Sequence, residues 1–553
     1  MSSLARTSPD LGPRPRVALS ATTGPLVPLA LYGLALLVGL AAVTPVGSSL
    51  HEGSAYYVEV ARNVASGRGL VIDVLWSYAT PPLVLPRPAF ELWQPLASLL
   101  AALPMPLLGD SLVSAQMAFA ALGAAVAPLA WAVARDAAFR LGLSGRRRRA
   151  MALGSGLLAA VFGPFLLATA APDSTLPFLV LAGLACLLMP AALTRRRAGL
   201  LLGVVLGLAY LSRMEAIYVG LTFLLLGAAG WRAAEQPYRA AVRTLAPIVA
   251  GGLLVCLPWL VRNTLTFGSP FPGQTLDNAF LTRNEQIFGY TERPTLNAFL
   301  AQGPELLLGN IFGALLHGLV HVLLVPGGPL IALGLLSAVV LAARSGLRSA
   351  LGTSPLAALL IAGVLTYGVT SLVFPVATVW GTFAHASGPL LLGLLVSGAL
   401  GADWLVARLR ERRGWQRSNA WLAPAALLAF ALPLSALQLH LAAGQADSQA
   451  MRMTALRLSL PELPAGPLIS DRPIWLATAL ERPVLVLPDE RAEAVLELAR
   501  DFGAGAVVIV EGRGRHPAAL RGPAGSACFA EEALGPSAPA GAALFRLREE
   551  CRR

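Results

Sequence analysis

The sequence PLVPLALYGLALLVGLAAVTPV, residues 25–46, is followed directly by GSSLHEGSAYYVEVARN, residues 47–63. The first stretch carries no charged residue and is long enough to cross the hydrocarbon core of a bilayer as a helix. It is also longer than the apolar region of a secretory signal, and no small-residue cleavage site follows it, so we interpret it as a retained span. The second stretch therefore begins at a membrane surface.

Composition extends this interpretation to the whole chain. Hydrophobic residues make up 56% and charged residues 13% of the 553 positions, and the mean hydropathy is +0.66. Soluble globular domains do not have this composition, so we predict an all-α polytopic membrane protein. Eleven apolar runs are long enough to span: 25–46, 111–134, 150–170, 175–193, 198–212, 216–231, 244–261, 328–343, 354–374, 387–407 and 420–441. Two further runs, 94–108 and 306–325, are predicted to be interfacial or re-entrant, and counting both as spans gives thirteen.

The net charge of +12 raises the question of a nucleic-acid partner. The arginines instead cluster in short loops between apolar runs, such as Arg146–Arg149 and Arg195–Arg197, which is the positive-inside pattern. With the N-terminus inside, the inner loops hold 22 Arg against 5 acidic residues, and the outer loops before residue 442 hold 7 Arg against 11. We therefore predict no nucleic-acid partner and a cytoplasmic N-terminus.

The chain divides into three predicted parts: a cytoplasmic tail at 1–24, a transmembrane domain at 25–441, and a soluble extracytoplasmic domain at 442–553. Long outer loops are predicted at 47–110 and 262–310. In the last part, strand-like PVLVLP and AVVIV alternate with an amphipathic helical pattern, which predicts a small α/β domain with parallel strands. Cys528 and Cys551 flank a strand-like ALFRL there, so a disulfide is predicted, with two unrelated thiols as the alternative.

Residues 54–66 have helical periodicity. Val60 and Val64 fall on an apolar face that also holds Tyr57 and Ala61, so we predict an amphipathic helix that lies on the outer leaflet and is capped by Ser54. Glu52 stands just before the positive end of this helix. One interpretation is that Glu52 only complements the helix dipole.

An acidic residue after the first span, followed by tyrosine and ARN…GRG, resembles the first outer loop of the GT-C superfamily of multispanning glycosyltransferases. The resemblance extends through WQPLASLLAALP (93–104), LSRMEAIYVGL (211–221), PWLVRNTLTFGSPFPG (258–273) and GTFAHASGPLL (381–391). The most similar groups are the lipid A aminoarabinose transferases, the protein O-mannosyltransferases and related bacterial sugar transferases. Together the motifs cover most of residues 25–441.

This resemblance implies an inverting transfer of a sugar from a polyprenyl-phosphate carrier to a lipid, glycan or protein acceptor. It also implies contact with membrane lipids and a multi-pass location in the bacterial plasma membrane, with the reaction on the outer face. Family members typically carry two acidic residues where this chain has His51-Glu52. The cofactor is therefore open, because a divalent metal suits the chemistry but the sequence offers no clear set of ligands.

Such a transfer needs a base for the acceptor hydroxyl and cations for the departing phosphate. Glu52 is the first candidate base, His51 can substitute for it, and Asp173 is the candidate second acid unless it only caps the span that begins at Thr175. The candidate substrate-binding residues are Tyr56, Arg87, Arg213, Glu215, Arg262 and His385. Alternatives remain for four of these positions: Arg213 and Glu215 can pair with each other, Arg262 can simply mark the end of a span, and His385 can be a satisfied buried histidine.

Other chemistries have weaker support in the sequence. His317 and His321 are spaced to share a helical face, but no third metal ligand follows at a recognisable spacing. Nucleotide-binding loops and nucleophile elbows are not found. Two alternatives to a glycosyltransferase remain: a transporter or flippase for a lipid-linked substrate, which would place ionisable residues mid-span, and a catalytically inactive scaffold.

Overall fold

The computed structural model describes residues 25–273, 276–344, 346, 348–349, 352–415, 419–512 and 516–552. The predicted cytoplasmic tail at 1–24 lies outside the described residues.

Most of the described chain is helical, and the helices follow the apolar runs. Within the described residues, eight helical segments are long and apolar enough to cross a membrane, or nine if the bent pair Gly145–Val161 and Gly163–Ala170 is one span. The eight are Leu26–Val43, Leu112–Arg140, Thr175–Ala192, Pro237–Phe267, Pro304–Ala343, Pro355–Val373, Gly388–Arg413 and Leu422–Ser459. The predicted runs 198–212 and 216–231 are the helices Arg196–Ser212 and Ala216–Arg232, each of 17 residues. The count of eleven or thirteen spans stays a prediction.

The two interrupted runs have different structures. Residues 94–108 form two short helices, Leu96–Ala102 and Met105–Leu108, which are too short to span. Residues 306–325 lie in the helix Pro304–His317 and the π-helical turn Gly318–Leu324, which continue into Val325–Ala343. This run is therefore part of a long helical segment rather than a separate interfacial piece. The segment breaks at Gly328, whose φ of 55° departs from the helix.

Glycines bring the helices Arg196–Ser212 and Pro237–Phe267 into backbone contact. A Cβ at Gly203 would stand 2.0 Å from the carbonyl oxygen of Ile248, and one at Gly251 would stand 2.3 Å from that of Leu200. Small residues permit such close approach where helices pack in a bilayer. The contact fixes the relative position of the two helices.

The helix after the first span, Glu52–Ala65, is hereafter the loop helix. Its N-cap is His51, whose Nδ1 accepts the backbone N–H of Ser54, so the prediction of Ser54 as the cap is wrong. The imidazole reaches this N–H because it lies three residues before it, the usual geometry of a capping side chain. Tyr56 and Asn63 are buried in addition to the apolar face, so the helix packs against other parts of the protein on more than one side. Its place on the outer leaflet stays a prediction.

The described residues after 467 form a mixed sheet together with one strand from the first outer loop. The strands are β1 (Val71–Ile72), β2 (Val74–Leu75), β3 (Arg87–Pro88), β4 (Leu468–Ser470), β5 (Val484–Val486), β6 (Ala506–Ile509), β7 (Phe529–Glu532) and β8 (Ala543–Leu547). The sheet order is β2-β5-β4-β6-β8-β7, parallel from β2 to β6 and antiparallel at β8 and β7, while β1 and β3 form a separate pair. Helices Pro473–Leu480, Ala492–Phe502, His516–Arg521 and Pro523–Cys528 connect the strands.

Two connections join this sheet to the apolar helices, one through strand β2 and the other through the long helix that precedes β4. Strand β2 supplies one edge, and the helix Leu422–Ser459 continues through residue 441, where the sequence predicted a boundary. The predicted disulfide between Cys528 and Cys551 is confirmed. Short 3-10 helices Asp277–Phe280 and Asn284–Phe288, and helices Leu296–Leu300, Pro375–Trp380 and Thr382–Ala386, lie in the remaining loops.

Candidate active site

Asp173 lies at the centre of a group of polar side chains at one end of the helices. It stands in the turn before the helix Thr175–Ala192, and its side chain is 4% exposed. Oδ1 accepts the backbone N–H of Thr175 at 2.7 Å, so Asp173 does serve the start of that helix. Oδ2 faces two imidazoles, His51 Nε2 at 3.3 Å and His385 Nδ1 at 3.1 Å. The carboxylate therefore joins three separate segments of the chain.

The protonation of this group follows from its contacts. Burial alone would raise the pKa of Asp173, but its electrostatic interactions and hydrogen bonds with His385, and then with His51, outweigh burial and hold the pKa well below its usual range. An ionised carboxylate only accepts hydrogen bonds, so each ring presents an N–H to it. Because His51 Nδ1 accepts the N–H of Ser54 at 3.1 Å, the proton of that ring lies on Nε2.

Arg213 ties the turns around Asp173 together. Its Nε and Nη2 donate to the two oxygens of Glu215 at 3.1 and 2.6 Å, which is the mutual pairing that the sequence left open. Nη1 donates to Ser174 Oγ at 2.9 Å, and Nη2 donates to the carbonyl of Thr382 at 3.3 Å. The guanidinium is thus largely occupied by protein, and its contacts position the loop that carries His385.

Tyr57, on the loop helix, contacts the group around Asp173 through Ser174. Its backbone carbonyl accepts from Ser98 Oγ at 2.8 Å, and its hydroxyl is hydrogen-bonded to Ser174. Burial raises the pKa of Tyr57 above its ordinary value, so the phenol stays neutral and remains a donor.

Glu52 adjoins His51 in sequence, yet its carboxylate turns to the C-terminal sheet. Oε2 lies 3.3 Å from Arg472 Nη1, and Oε1 accepts the backbone N–H of Ile474 at 3.2 Å. Arg472 also donates to Glu511 at 2.8 Å. Burial, working against the attraction of Arg472, raises the pKa of Glu52 to about 7. The carboxylate therefore anchors the loop helix to the residues that follow β4.

Tyr56, Arg87 and Arg262 belong to a second group around residues 87–91. Arg87 is fully buried and donates to Glu91 at 3.1 Å and to the carbonyl of Thr80 at 2.8 Å. The hydroxyl of Tyr56 accepts the N–H of Phe90 at 2.9 Å. These contacts give Arg87 and Tyr56 structural roles.

Arg262 is more open. Nη2 donates to the carbonyl of Ala89 at 2.9 Å, Nη1 donates to Asn263 Oδ1 at 3.1 Å, and the guanidinium lies over the ring of Trp259. Nε has no partner among the described residues. Of the three arginines proposed for a phosphate, Arg262 keeps the most open donor set.

The described side chains that could ligate a metal ion at this site are few and mostly engaged. Among the described residues, no group of three or more His, Cys, Asp or Glu side chains is arranged to hold a metal ion. The oxygens of Asp173 are already occupied by Thr175, His51 and His385. His317 and His321 stack with ring centroids 5.2 Å apart. The described side chains of this site therefore do not fit a metal ion.

Sequence reasoning missed four residues that complete the site: Tyr57, Ser174, Thr175 and Arg472. Ser174 and Thr175 continue the polar run APDST inside a largely apolar stretch, which was a usable signal. Arg472 follows directly after β4, and functional residues of parallel sheets gather at the carboxyl ends of strands. For Tyr57, no local signal separated a hydrogen-bonded phenol from a packed one.

Solved structures with a similar architecture include the following three. The apo ArnT of Cupriavidus metallidurans has a TM-score of 0.54 at 13% identity, covering 95% of this chain and 98% of that one. The same protein bound to undecaprenyl phosphate has a TM-score of 0.53 at 14% identity, covering 96% and 100%. The apo oligosaccharyltransferase of Archaeoglobus fulgidus has a TM-score of 0.53 at 14% identity, covering 87% and 69%. No family model and no curated protein matches the sequence. At these identities the likeness is one of fold.

Proposed function

Because this chain has a GT-C-like fold, we propose that it is an integral-membrane glycosyltransferase that moves a sugar from a polyprenyl-phosphate carrier to an acceptor hydroxyl. The observation that carries the proposal is the convergence of His51, Asp173, Arg213 and His385 from four separate loops. A shared cluster at one end of the helices is what a reaction at the membrane surface requires.

The donor side of the proposal rests on Arg262. Its guanidinium lies near the outer end of the helix Pro237–Phe267, and a free Nε and the remaining N–H groups can donate to phosphate oxygens. The similar structure with undecaprenyl phosphate bound supports a polyprenyl-phosphate donor for this fold. We place the reaction on the outer face of the bacterial plasma membrane, with a lipid, glycan or protein as acceptor and inversion at the sugar.

Within this proposal, Asp173 positions the two imidazoles and Glu52 positions the loop helix. The pairing of Glu52 with Arg472 supports an anchoring role more than that of a free base. The pairing of Arg87 with Glu91 likewise supports a role in holding the first outer loop.

The test is transfer by the purified protein from a panel of synthetic polyprenyl-phosphate sugars to lipid, glycan and peptide acceptors, read as labelled sugar in product. We expect transfer by the wild type and a loss of roughly 10²-fold or more in Asp173→Asn, since that change removes the charge that orients both imidazoles.

Asp136→Asn is the matched control. Asp136 pairs with Arg140 in a predicted cytoplasmic loop, so the variant should transfer normally. A folded wild type that transfers from no donor in the panel would overturn the proposed function, and equal activity in Asp173→Asn would overturn the site.

A further inference from the structure

His385 differs from the other titratable residues of the cluster in having one edge of its ring engaged and the other open. Nδ1 lies 3.1 Å from Asp173 Oδ2 and 2.9 Å from Thr175 Oγ1. Since the ionised carboxylate can only accept, the ring proton lies on Nδ1. In the neutral form of the ring, Nε2 then carries a lone pair.

The open edge of His385 is accessible. The side chain is 36% exposed, and Nε2 has no hydrogen-bond partner within the described part of the chain. Gly381, at a φ of 134° that favours glycine, lies beside this edge, and a Cβ there would stand 3.5 Å from Nε2. The absence of a side chain at 381 leaves room for a substrate group next to the nitrogen.

The other bases of the cluster are already engaged. Both ring nitrogens of His51 have partners, Ser54 N–H and Asp173. Glu215 is held in two hydrogen bonds by Arg213, and Glu52 is held by Arg472. For each of these to accept a proton from a substrate, an existing contact must first break.

We propose that His385 is the general base of the transfer, with Asp173 as its positioning residue. The assignment rests on the proposed function. His385 Nε2 takes the proton of the acceptor hydroxyl as that oxygen forms its bond to the anomeric carbon. The bond from the anomeric carbon to the phosphate oxygen breaks, and the polyprenyl phosphate leaves with the electron pair. Asp173 holds the Nδ1–H and stabilises the imidazolium that results.

Charged and titratable groups lie on the elements that surround His385, and they bear on the pH dependence of the reaction. Asp173 precedes the helix Thr175–Ala192, and His51 contributes a second ring with its centroid 5.6 Å from that of His385. Arg213, which is paired with Glu215, donates to the carbonyl of Thr382 in the short helix that carries His385. The helix Pro355–Val373 and the π-helical turn both pack against the short helix Thr382–Ala386. The first carries Tyr367, whose ring contacts Phe383 and whose hydroxyl donates to the carbonyl of Leu315, and the second carries His321, whose ring lies beside that of His317.

The experiment separates a base from a cation that contacts the phosphate. We compare His385→Ala and His385→Gln with the wild type for kcat and for the KM of the donor, using the donor and acceptor on which the wild type is most active. A base predicts a fall in kcat of roughly 10²- to 10⁴-fold with little change in KM. It also predicts recovery of His385→Ala by added imidazole, and loss of the acidic limb of the kcat profile in both variants.

Two further variants sharpen the result. Asp173→Asn combined with His385→Ala should be no slower than His385→Ala alone, because the two residues act as a unit. His440→Ala, at an exposed histidine of the long helix Leu422–Ser459, should retain normal kcat. Melting temperatures of all variants show that each is folded.

The outcomes distinguish this inference from the function on which it rests. A wild type that transfers while His385→Ala keeps its kcat, or raises only the KM of the donor, overturns the role of His385 and leaves the glycosyltransferase in place. A wild type that transfers from no donor overturns both.

Discussion

At the scale of single residues, His51 and Glu52 are adjacent in sequence but bind different partners. His51 caps the loop helix and contacts Asp173, while Glu52 contacts Arg472 and the N–H of Ile474. Successive residues at the start of a helix point in different directions. His51 therefore reaches the group around Asp173, while Glu52 reaches the C-terminal sheet. Glu52, the first candidate base, is thereby separated from the group that contains Asp173, the candidate second acid.

Glu52→Gln should change the pH dependence of stability. The pKa of Glu52 is raised from 4.5 to about 7, so between these values the folded protein holds a proton that the unfolded chain has released. The stability of the wild type relative to the variant should therefore be highest near pH 4.5, fall by about 3 kcal/mol as the pH rises to 7, and stay constant above. Melting temperatures of both proteins in detergent from pH 4.5 to 8 measure this.

Glu59→Gln is the control on the same helix. Glu59 forms a partly exposed pair with Arg62, and its removal should give a small difference that does not follow this pH window. A difference between the wild type and Glu52→Gln that is independent of pH would contradict the raised pKa.

Transfer by Glu52→Gln should stay within roughly 10-fold of the wild type, because an anchoring carboxylate does not take the proton in the reaction.

At the scale of elements, the sheet after residue 467 is closed by a disulfide. Cys528 ends the helix Pro523–Cys528, and Cys551 lies just after β8 with a sequence separation of 23. Replacing both with serine should destabilise this part of the chain by about 3 kcal/mol, because the bond restricts the unfolded segment. Limited proteolysis followed by mass spectrometry should show faster cleavage between β6 and the C-terminus.

Cys186→Ser serves as the comparison, since Cys186 is a free thiol. Its proteolysis pattern after β6 should match that of the wild type. A reducing agent should reproduce the effect of the double variant in the wild type, and unchanged cleavage after reduction would contradict the stabilising role of the bond.

At the scale of the whole molecule, three long-range contacts constrain which segments share a side of the membrane. Pairing of β2 with β5 and of Glu52 with Arg472 requires the first outer loop and the C-terminal sheet to share one side. The pair Arg147 to Asp403 joins two predicted cytoplasmic ends. All three contacts agree with the arginine distribution, which predicts that the first two lie outside and the pair Arg147 to Asp403 lies inside.

Cysteine labelling tests this orientation in intact spheroplasts. Ala533→Cys, at an exposed position beyond β7, should react with a membrane-impermeant maleimide. Ala233→Cys, at an exposed position after the helix Ala216–Arg232, should react only after permeabilisation. The opposite pattern would reverse the predicted topology, and the wild type provides the background from its own thiols.

Sequence patterns were sufficient for the helices and insufficient for their contacts. The eleven apolar runs all fall on helices, because twenty or so apolar residues in a row have one stable form in a bilayer. The cap of the loop helix was misassigned because Ser54 and His51 can both accept an N–H, and the choice depends on what surrounds them. Strand β2, of two residues, has no periodicity to detect, and its pairing with β5 joins positions about 400 apart.

By itself, the sequence determined that this is a polytopic helical protein, where its polar loops lie, and which residues are candidates for chemistry. Those properties follow from hydropathy, charge and short motifs, which are local. Only the tertiary structure decided that Asp173 meets His51 and His385, that Arg213 is occupied by Glu215, and that Glu52 turns to Arg472. Hydrogen bonds depend on positions within a few tenths of an ångström, and helix packing across hundreds of residues sets those positions.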